Sequence, residues 1–408
     1  MNAHSRPQPI GGSIFTPPVL ILGAFAGLAG LLIVWRFAVG LGATTALNDG
    51  YPWGLWIAFD VVTGTALSCG GYAVALLVYI LNRGKYHPLI RPALVTSAFG
   101  YTIAGLSVVI DIGRPWLAYK LPFFWHWNPN SVLLEVALCI MGYTVVLWLE
   151  LSPAFLERAR TSTVSVIRRI GEIGLPVAQK SLLWLVAAGM LLPTMHQSAL
   201  GSLLLLSGPR LHPLWNTILL PLLFLLSCIA MGFGAVVLEG TLSSRFLGRK
   251  SETDMLAGLG FAMLPLLGLY LGIRLVDLAV RNQLGALLAF DLYSVLSLIE
   301  LALFVAAGVL LSTDRRRRDP GNLFRAAMLL ILAGALYRFD VFLVAFRPGA
   351  QWSYFPNVTE ILVTAGLVAG EIAGYILLIK LFPIMGPAAG ALSMDRSPLG
   401  RCELPSSK

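Results

Sequence analysis

The chain has 408 residues, 57% of them hydrophobic and 12% charged, with a mean hydropathy of +0.80 and a formal net charge of +9. Soluble domains carry about 25% charged residues, so an ordinary water-soluble enzyme is excluded and a polytopic all-α integral membrane protein is described. The positive charge is gathered in alternate loops, so it is a topology signal rather than a footprint for nucleic acid.

Residues 1–18 are polar and proline-rich and read as an N-terminal tail. No signal peptide is expected, because the first apolar run is too long for an h-region. Ten apolar runs of about 20 residues or more follow, roughly at 19–40, 53–80, 90–112, 131–151, 177–205, 214–240, 256–278, 291–311, 323–346 and 360–382. Residues 19–382 thus form a ten-span membrane domain, and 383–408 a second tail. The loops after spans two, four, six and eight hold Arg83, Lys85 and Arg91; Arg158, Arg160, Arg168, Arg169 and Lys180; Arg245, Arg249 and Lys250; and Arg315–Arg318 with Arg325. The opposite loops hold only Arg114, Lys120, Arg210, Arg281 and Arg347. The positive-inside rule then places both termini, and both tails, in the cytoplasm of a multi-pass protein of the bacterial inner membrane. The outer loops are aromatic instead, as in Pro122-Phe123-Phe124-Trp125-His126-Trp127 and Trp352-Ser353-Tyr354-Phe355-Pro356. That pattern suits an interfacial belt or a docking face for a soluble partner.

A charge at the bilayer centre costs about 3 kcal/mol on insertion scales, so acids and histidine within the spans are candidate functional groups. A helical rise of about 1.5 Å per residue sets their depth. Asp60 lies two turns inside span two, Asp111 and Arg114 mark the outer end of span three, and Glu135 lies one turn inside span four. Asn130-Ser131 is a plausible N-cap for that span. His196 falls in the outer third of span five, just after Pro193. These four spans therefore bring Asp60, Asp111, Glu135 and His196 to one level on the outer side. Such a ring could hold a quinone head group and exchange its protons.

Each residue also has a plainer reading: an Asp111–Arg114 ion pair one turn apart, a carbonyl freed by Pro193 for His196, and the helix dipole for Glu135. Further along, Arg274 with Asp277 and Arg338 with Asp340 read as structural pairs. Glu239, Glu300 and Glu371 could form a proton wire towards the cytoplasm or serve packing alone. The cysteines Cys69, Cys139, Cys228 and Cys402 show no CxxC spacing, so neither an iron–sulfur cluster nor a metal site is expected in this chain. Of His4, His87, His126, His196 and His212 only His196 lies within a span, so a membrane haem held by two histidines is not expected.

The runs GYPWGLWIAFDVVTGTALSCGGYA, NRGKYHPLIRPALVTSAFGY, DIGRPW, NSVLLE and LLPTMHQSALGSL, with the closing YFPNVTEILVTAGLVAGEIAGYILLIKLFPI, resemble the NrfD/polysulfide reductase C superfamily. Within it the chain is most similar to the HybB type, the membrane subunits of hydrogenase-2-like NiFe hydrogenases. The resemblance implies a haem-free anchor built as two four-helix bundles with spans one and ten flanking them. The first bundle, about 53–205, would house the quinone, and the second would cover about 214–346. It further implies a periplasmic four-cluster iron–sulfur, ferredoxin-like partner and NiFe hydrogenase small and large subunits. A glutamate matching Glu135 is linked to proton transfer in that family.

The expected function is reduction of membrane quinone (menaquinone or ubiquinone) with electrons from hydrogen. Glu135, His196 and Asp60 would be catalytic, and Asp111, Arg114, Trp53 and Tyr101 would join His196 in binding the ring. Glu135, Glu300, Glu371 and Glu239 would carry protons. The alternatives are a quinol-oxidising anchor of a molybdenum polysulfide or tetrathionate reductase or multihaem cytochrome complex, and a proton-coupled transporter.

Overall fold

The computed structural model describes residues 7–246 and 252–385. Most of the C-terminal tail, residues 1–6 of the N-terminal one, and His4, Arg249, Lys250 and Cys402 lie outside the described residues. Among the described residues ten helices are long and apolar enough to cross a membrane: α1 (Pro17–Val39), α2 (Trp56–Ile80), α3 (Gly84–Asp111), α4 (Val132–Ala159), α5 (Ser165–Leu205), α6 (Leu220–Phe246), α7 (Thr253–Val280), α8 (Leu292–Leu311), α9 (Pro320–Val344) and α10 (Val358–Leu381). Each matches one apolar run of the sequence. Among the described residues the only β contacts are two isolated bridges.

Local chemistry sets the helix ends. Ser131 caps α4 by accepting from the Leu134 amide at 3.3 Å, and Asp291 and Asp319 cap α8 and α9 in the same way. Asn357 and Glu360 form a capping box on α10, satisfying donors that lipid would leave stranded. The largest departure from the sequence reading is α5. Its 41 residues begin at Ser165, well before the apolar run, because the basic segment around Arg168 and Arg169 continues the helix as an amphipathic extension. Helix α6 starts later than its apolar run, at Leu220. There Pro221 suits the first turn, and Leu214 and Trp215 are buried in the preceding turn instead.

Helices α2, α3, α4 and α5 close into one four-helix ring, and α6, α7, α8 and α9 into a second. The rings meet where α2 and α5 pack on α6, and α2 on α9. Helices α1 and α10 pair outside the first ring, against α2 and α3. A glycine stripe on α10 permits this: a side chain at Gly366 would strike Ala29 and the Phe25 carbonyl, Gly370 faces Ala26, and Gly374 faces Phe99. Small residues at such spacing let backbones approach closely enough for dispersion to hold helices together in lipid. Large apolar side chains line the outer surface at mid-span, among them Leu31 and Leu183, 71% and 75% exposed. A water-facing belt of that size would drive association; in a bilayer it is the expected lipid contact.

Candidate functional site

The centre of the first ring is polar. His196 on α5 is fully buried, and its Nε2 lies 3.2 Å from the Thr65 hydroxyl on α2. Thr65 donates its only proton to the Val61 carbonyl at 2.6 Å, and it accepts from the Gln197 amide at 3.0 Å. With that proton committed, His196 Nε2 must be the donor, which leaves the lone pair on Nδ1. Nδ1 is buried without a partner at hydrogen-bond geometry among the described residues, and the α4 backbone at Val136 lies beside the imidazole. Tyr101 on α3 packs edge-on to the imidazole at 5.6 Å, and Tyr143 on α4 packs edge-on to Tyr101 at 4.5 Å. The Tyr101 hydroxyl lies 3.5 Å from Cys69 Sγ. All four helices of the ring thus contribute to one buried aromatic and imidazole cluster.

The cluster is held from the second ring. Arg338 on α9 is fully buried and donates to the Val62 carbonyl at 3.0 Å, Ser227 Oγ at 2.8 Å, Gln197 Oε1 at 3.0 Å and the Phe224 carbonyl at 3.0 Å. Since arginine only donates, it fixes the Gln197 amide with its NH2 towards Thr65. The sequence predicts an Arg338–Asp340 pair; instead Arg338 is occupied across the ring boundary, and both Asp340 oxygens are buried without a hydrogen bond among the described residues.

Structure divides the expected outer ring of acids. Asp60 lies in a π-helical stretch, Trp56–Thr63, a widened turn often found at functional sites. Its carboxylate points to α10, accepting from Thr364 at 3.1 Å, and its neighbours there are Ser107 and Glu371. Glu371 reaches α3 beside Gly100, whose missing side chain leaves room for Ser68 of α2. Asp111 sits with Arg36 of α1, which donates to the Ile112 carbonyl at 2.7 Å. Arg114 is exposed in the following loop and forms no ion pair with Asp111. Glu135 is half-buried one turn into α4, one residue from the Val136 backbone that His196 faces. Trp53 turns away from the first ring: its indole donates to the Phe342 carbonyl at 2.9 Å and its ring packs on Phe346 at 4.8 Å.

Of the three wire candidates, Glu239 and Glu371 both border the seam of α3 and α10, and Glu300 lies apart in the second ring. Glu239 of α6 accepts from Thr96 on α3 at 3.1 Å and from Tyr375 on α10. Glu300 is fully buried in the second ring and accepts from Trp215 at 3.2 Å and Tyr270 at 3.0 Å, near Arg274. Arg274 donates to the Leu214 carbonyl at 2.7 Å, whereas Asp277 pairs with Arg281 at 2.6 Å rather than with Arg274. The second ring therefore has its own buried polar centre of Glu300, Arg274, Tyr270, Tyr337 and Asp340.

Sequence reasoning missed Thr65, Gln197, Tyr143 and Glu150. Glu150 lies four turns beyond Glu135 on α4 and lines a partly open cavity of the first ring. It was readable as an acid near the end of an apolar run. Thr65 and Gln197 carry no such signal, since only their contacts distinguish them. Among the described residues no three His, Cys, Asp or Glu side chains converge as a metal site, and Cys69, Cys139 and Cys228 are buried thiols.

The end of the molecule opposite the basic loops is knitted by Glu360. Its carboxylate accepts from the amides of Ala46 at 2.8 Å and Asn357 at 3.0 Å and from the Tyr354 hydroxyl at 2.6 Å. Burial and this neighbouring carboxylate raise the Tyr354 phenol above its ordinary range. Beyond it, Trp116, Phe124 and Trp125 are 69%, 71% and 62% exposed on the loops following α3.

Compared with known proteins, residues 43–347 match the family described as "Polysulphide reductase, NrfD". The chain is 42% identical over 387 residues to the "Probable Ni/Fe-hydrogenase 2 b-type cytochrome subunit" of Escherichia coli, covering 93% of this chain and 95% of that protein. It is 32% identical over 234 residues to the "Menaquinone reductase, integral membrane subunit" of Nitratidesulfovibrio vulgaris, covering 54% and 52%. It is also 28% identical over 289 residues to a selenate reductase subunit of Mesobacillus selenatarsenatis, covering 65% and 64%.

Proposed function

The chain belongs to the polysulphide reductase NrfD family, and on that premise we propose that it is the quinone-reactive membrane subunit of a periplasm-facing NiFe hydrogenase. The observation that carries the reading is His196. It is a buried imidazole with one ring nitrogen uncommitted, packed edge-on to Tyr101 and facing the backbone beside Glu135. An apolar cage with a few convergent polar groups suits a quinone ring. The likeness to a hydrogenase-2 subunit favours hydrogen as electron source, and the menaquinone reductase relative favours quinone as acceptor.

In this reading the basic loops are cytoplasmic, and the exposed Trp116, Phe124 and Trp125 form the docking face for an iron–sulfur partner. Two electrons from that partner and two protons convert quinone to quinol. His196 and Tyr101 orient the ring, and Glu135, half-buried at the helix start, passes protons to it; Asp60, Asp111 and Glu371 lie on the α1 and α10 side, outside the ring's centre. Haem does not fit the donors: a membrane haem needs two axial side chains on facing helices. His196 is the one histidine in the apolar cores of the ten spans, and its Nε2 is held by Thr65. The words "b-type cytochrome" in the E. coli relative's name are therefore not carried over. A purified chain showing a Soret band would contradict this.

The test is Glu135→Gln. Hydrogen-dependent quinone reduction should fall by about 100-fold or more, the scale of a lost proton-transfer group, while hydrogen oxidation with a soluble dye persists. Quinone reduction at the parent rate would remove Glu135 from the mechanism. A second reading keeps the anchor and reverses the electron flow into a terminal reductase, favoured by the likeness to a selenate reductase subunit.

A further inference from the structure

Below the His196–Tyr101–Tyr143 cluster, towards the basic end of the first ring, lies a cavity of about 40 Å³. All four helices of the ring line it: Tyr72 and Tyr79 from α2, Leu94 from α3, Tyr143 and Glu150 from α4, and Gly189 from α5. A single water needs on the order of 10–15 Å³ of such space and two to four polar partners, so about three waters fit. The Glu150 carboxylate takes no hydrogen bond from any described residue, and it lies directly over Gly189, where a Cβ would come within 2.8 Å of Oε1. That glycine leaves the acid room to face the cavity.

Position links the cavity to the site above. Tyr143 belongs to both, lining the cavity and packing on Tyr101. Tyr72 lines it and hydrogen-bonds Thr194 at 2.7 Å, two residues before His196. Glu150 is seven residues beyond Tyr143, about 10 Å along α4, and eight before Arg158, about 12 Å from the basic end. Beside that end Arg91 is paired with Glu157 at 2.6 Å.

We propose that this cavity is a water site and that Glu150 is its proton-exchanging group, connecting the basic face of the membrane to the tyrosine and imidazole cluster. The inference rests on the quinone reading above. For each quinone reduced, two electrons come from the reduced iron–sulfur partner and two protons from water on the basic side. Glu150 takes each proton onto its carboxylate and returns it to cavity water, whose next hydroxyl neighbours are Tyr72 and Tyr143. No bond other than O–H is made or broken at Glu150.

The test measures quinone reduction by the full complex in membranes. Glu150→Gln should lower turnover about tenfold or more without changing the KM for quinone, and a small permeant weak acid should restore part of it. Glu150→Asp should keep most of the turnover. Gly189→Leu, which displaces the carboxylate and fills the space, should behave like Glu150→Gln. Dye-linked hydrogen oxidation, which needs no quinone, measures assembly and should be unchanged throughout. Parental turnover in Glu150→Gln would make the cavity a dry packing gap and overturn the inference. So would joint failure of Glu150→Gln and Glu150→Asp to assemble, which would make the residue structural. A parent complex unable to reduce quinone would instead sink the functional reading on which the inference stands.

Discussion

At the scale of single residues, helical rise set an expected level but left direction open. Counting 1.5 Å per residue put Asp60, Asp111, Glu135 and His196 at one depth, yet rise alone does not say which way a side chain points. Asp60 faces α10 and Thr364, Asp111 faces Arg36 of α1, and only His196 enters the first ring's centre. The π-helical turns around Asp60 shift every azimuth that a 3.6-residue repeat would give. Thr65 and Gln197 were illegible because uncharged polar residues occur in every span, and only a partner singles them out. Thr65→Val should strand both the His196 Nε2–H and the Gln197 NH2, costing about 1–3 kcal/mol for each. Thermal unfolding in detergent should show a clear drop for Val and little for Ser. Equal stability of the Val variant would mean the hydrogen bonds carry no weight.

At the scale of elements, all ten spans were legible, because about 20 apolar residues is the length lipid demands. The long α5 and the late start of α6 were not: an amphipathic basic extension has no hydropathy signal, and buried Trp215 in a turn looks like a span. Also unread was the bridge from α9 to α2, α5 and α6. Arg338→Met leaves Gln197 Oε1, Ser227 and two carbonyls without their donor, at about 1–3 kcal/mol per stranded group. It should lower the unfolding temperature well beyond an exposed control such as Arg114→Met.

The loop before α6 carries a pH dependence. His212 accepts from the Leu214 amide at 3.3 Å through Nδ1 and stacks on Tyr293 at 4.3 Å. Burial and the Arg347 guanidinium hold its pKa below the usual 6.5, with Asp291 opposing weakly. The folded state thus resists a proton that the unfolded state accepts. The stabilisation is complete above about pH 6.5 and is lost as pH falls from there towards the lowered folded value. His212→Phe should therefore flatten part of the loss of thermal stability between about pH 7.5 and about pH 5.5; an unchanged slope would assign that loss to other groups.

At the scale of the whole molecule, two closed rings of four helices and an outer pair reproduce the architecture implied by the family resemblance, and each ring encloses a buried polar centre. The two centres differ in kind. In the second, Glu300 is engaged by Trp215 and Tyr270, while both Asp340 oxygens, the Tyr337 hydroxyl and two Arg274 nitrogens have no partner among the described residues. In the first, His196 Nδ1 is uncommitted and Glu150 faces a cavity. The buried imidazole packed edge-on by Tyr101, with Tyr143 behind it, is why the first ring is assigned the quinone. The most direct measurement is photo-crosslinking with an azido-quinone on the full chain in native membranes, followed by peptide mapping. The account predicts label on α2–α5, concentrated near Tyr101, Glu135 and His196, and competed away by unlabelled quinone. Competable label confined to α6–α9 would contradict it.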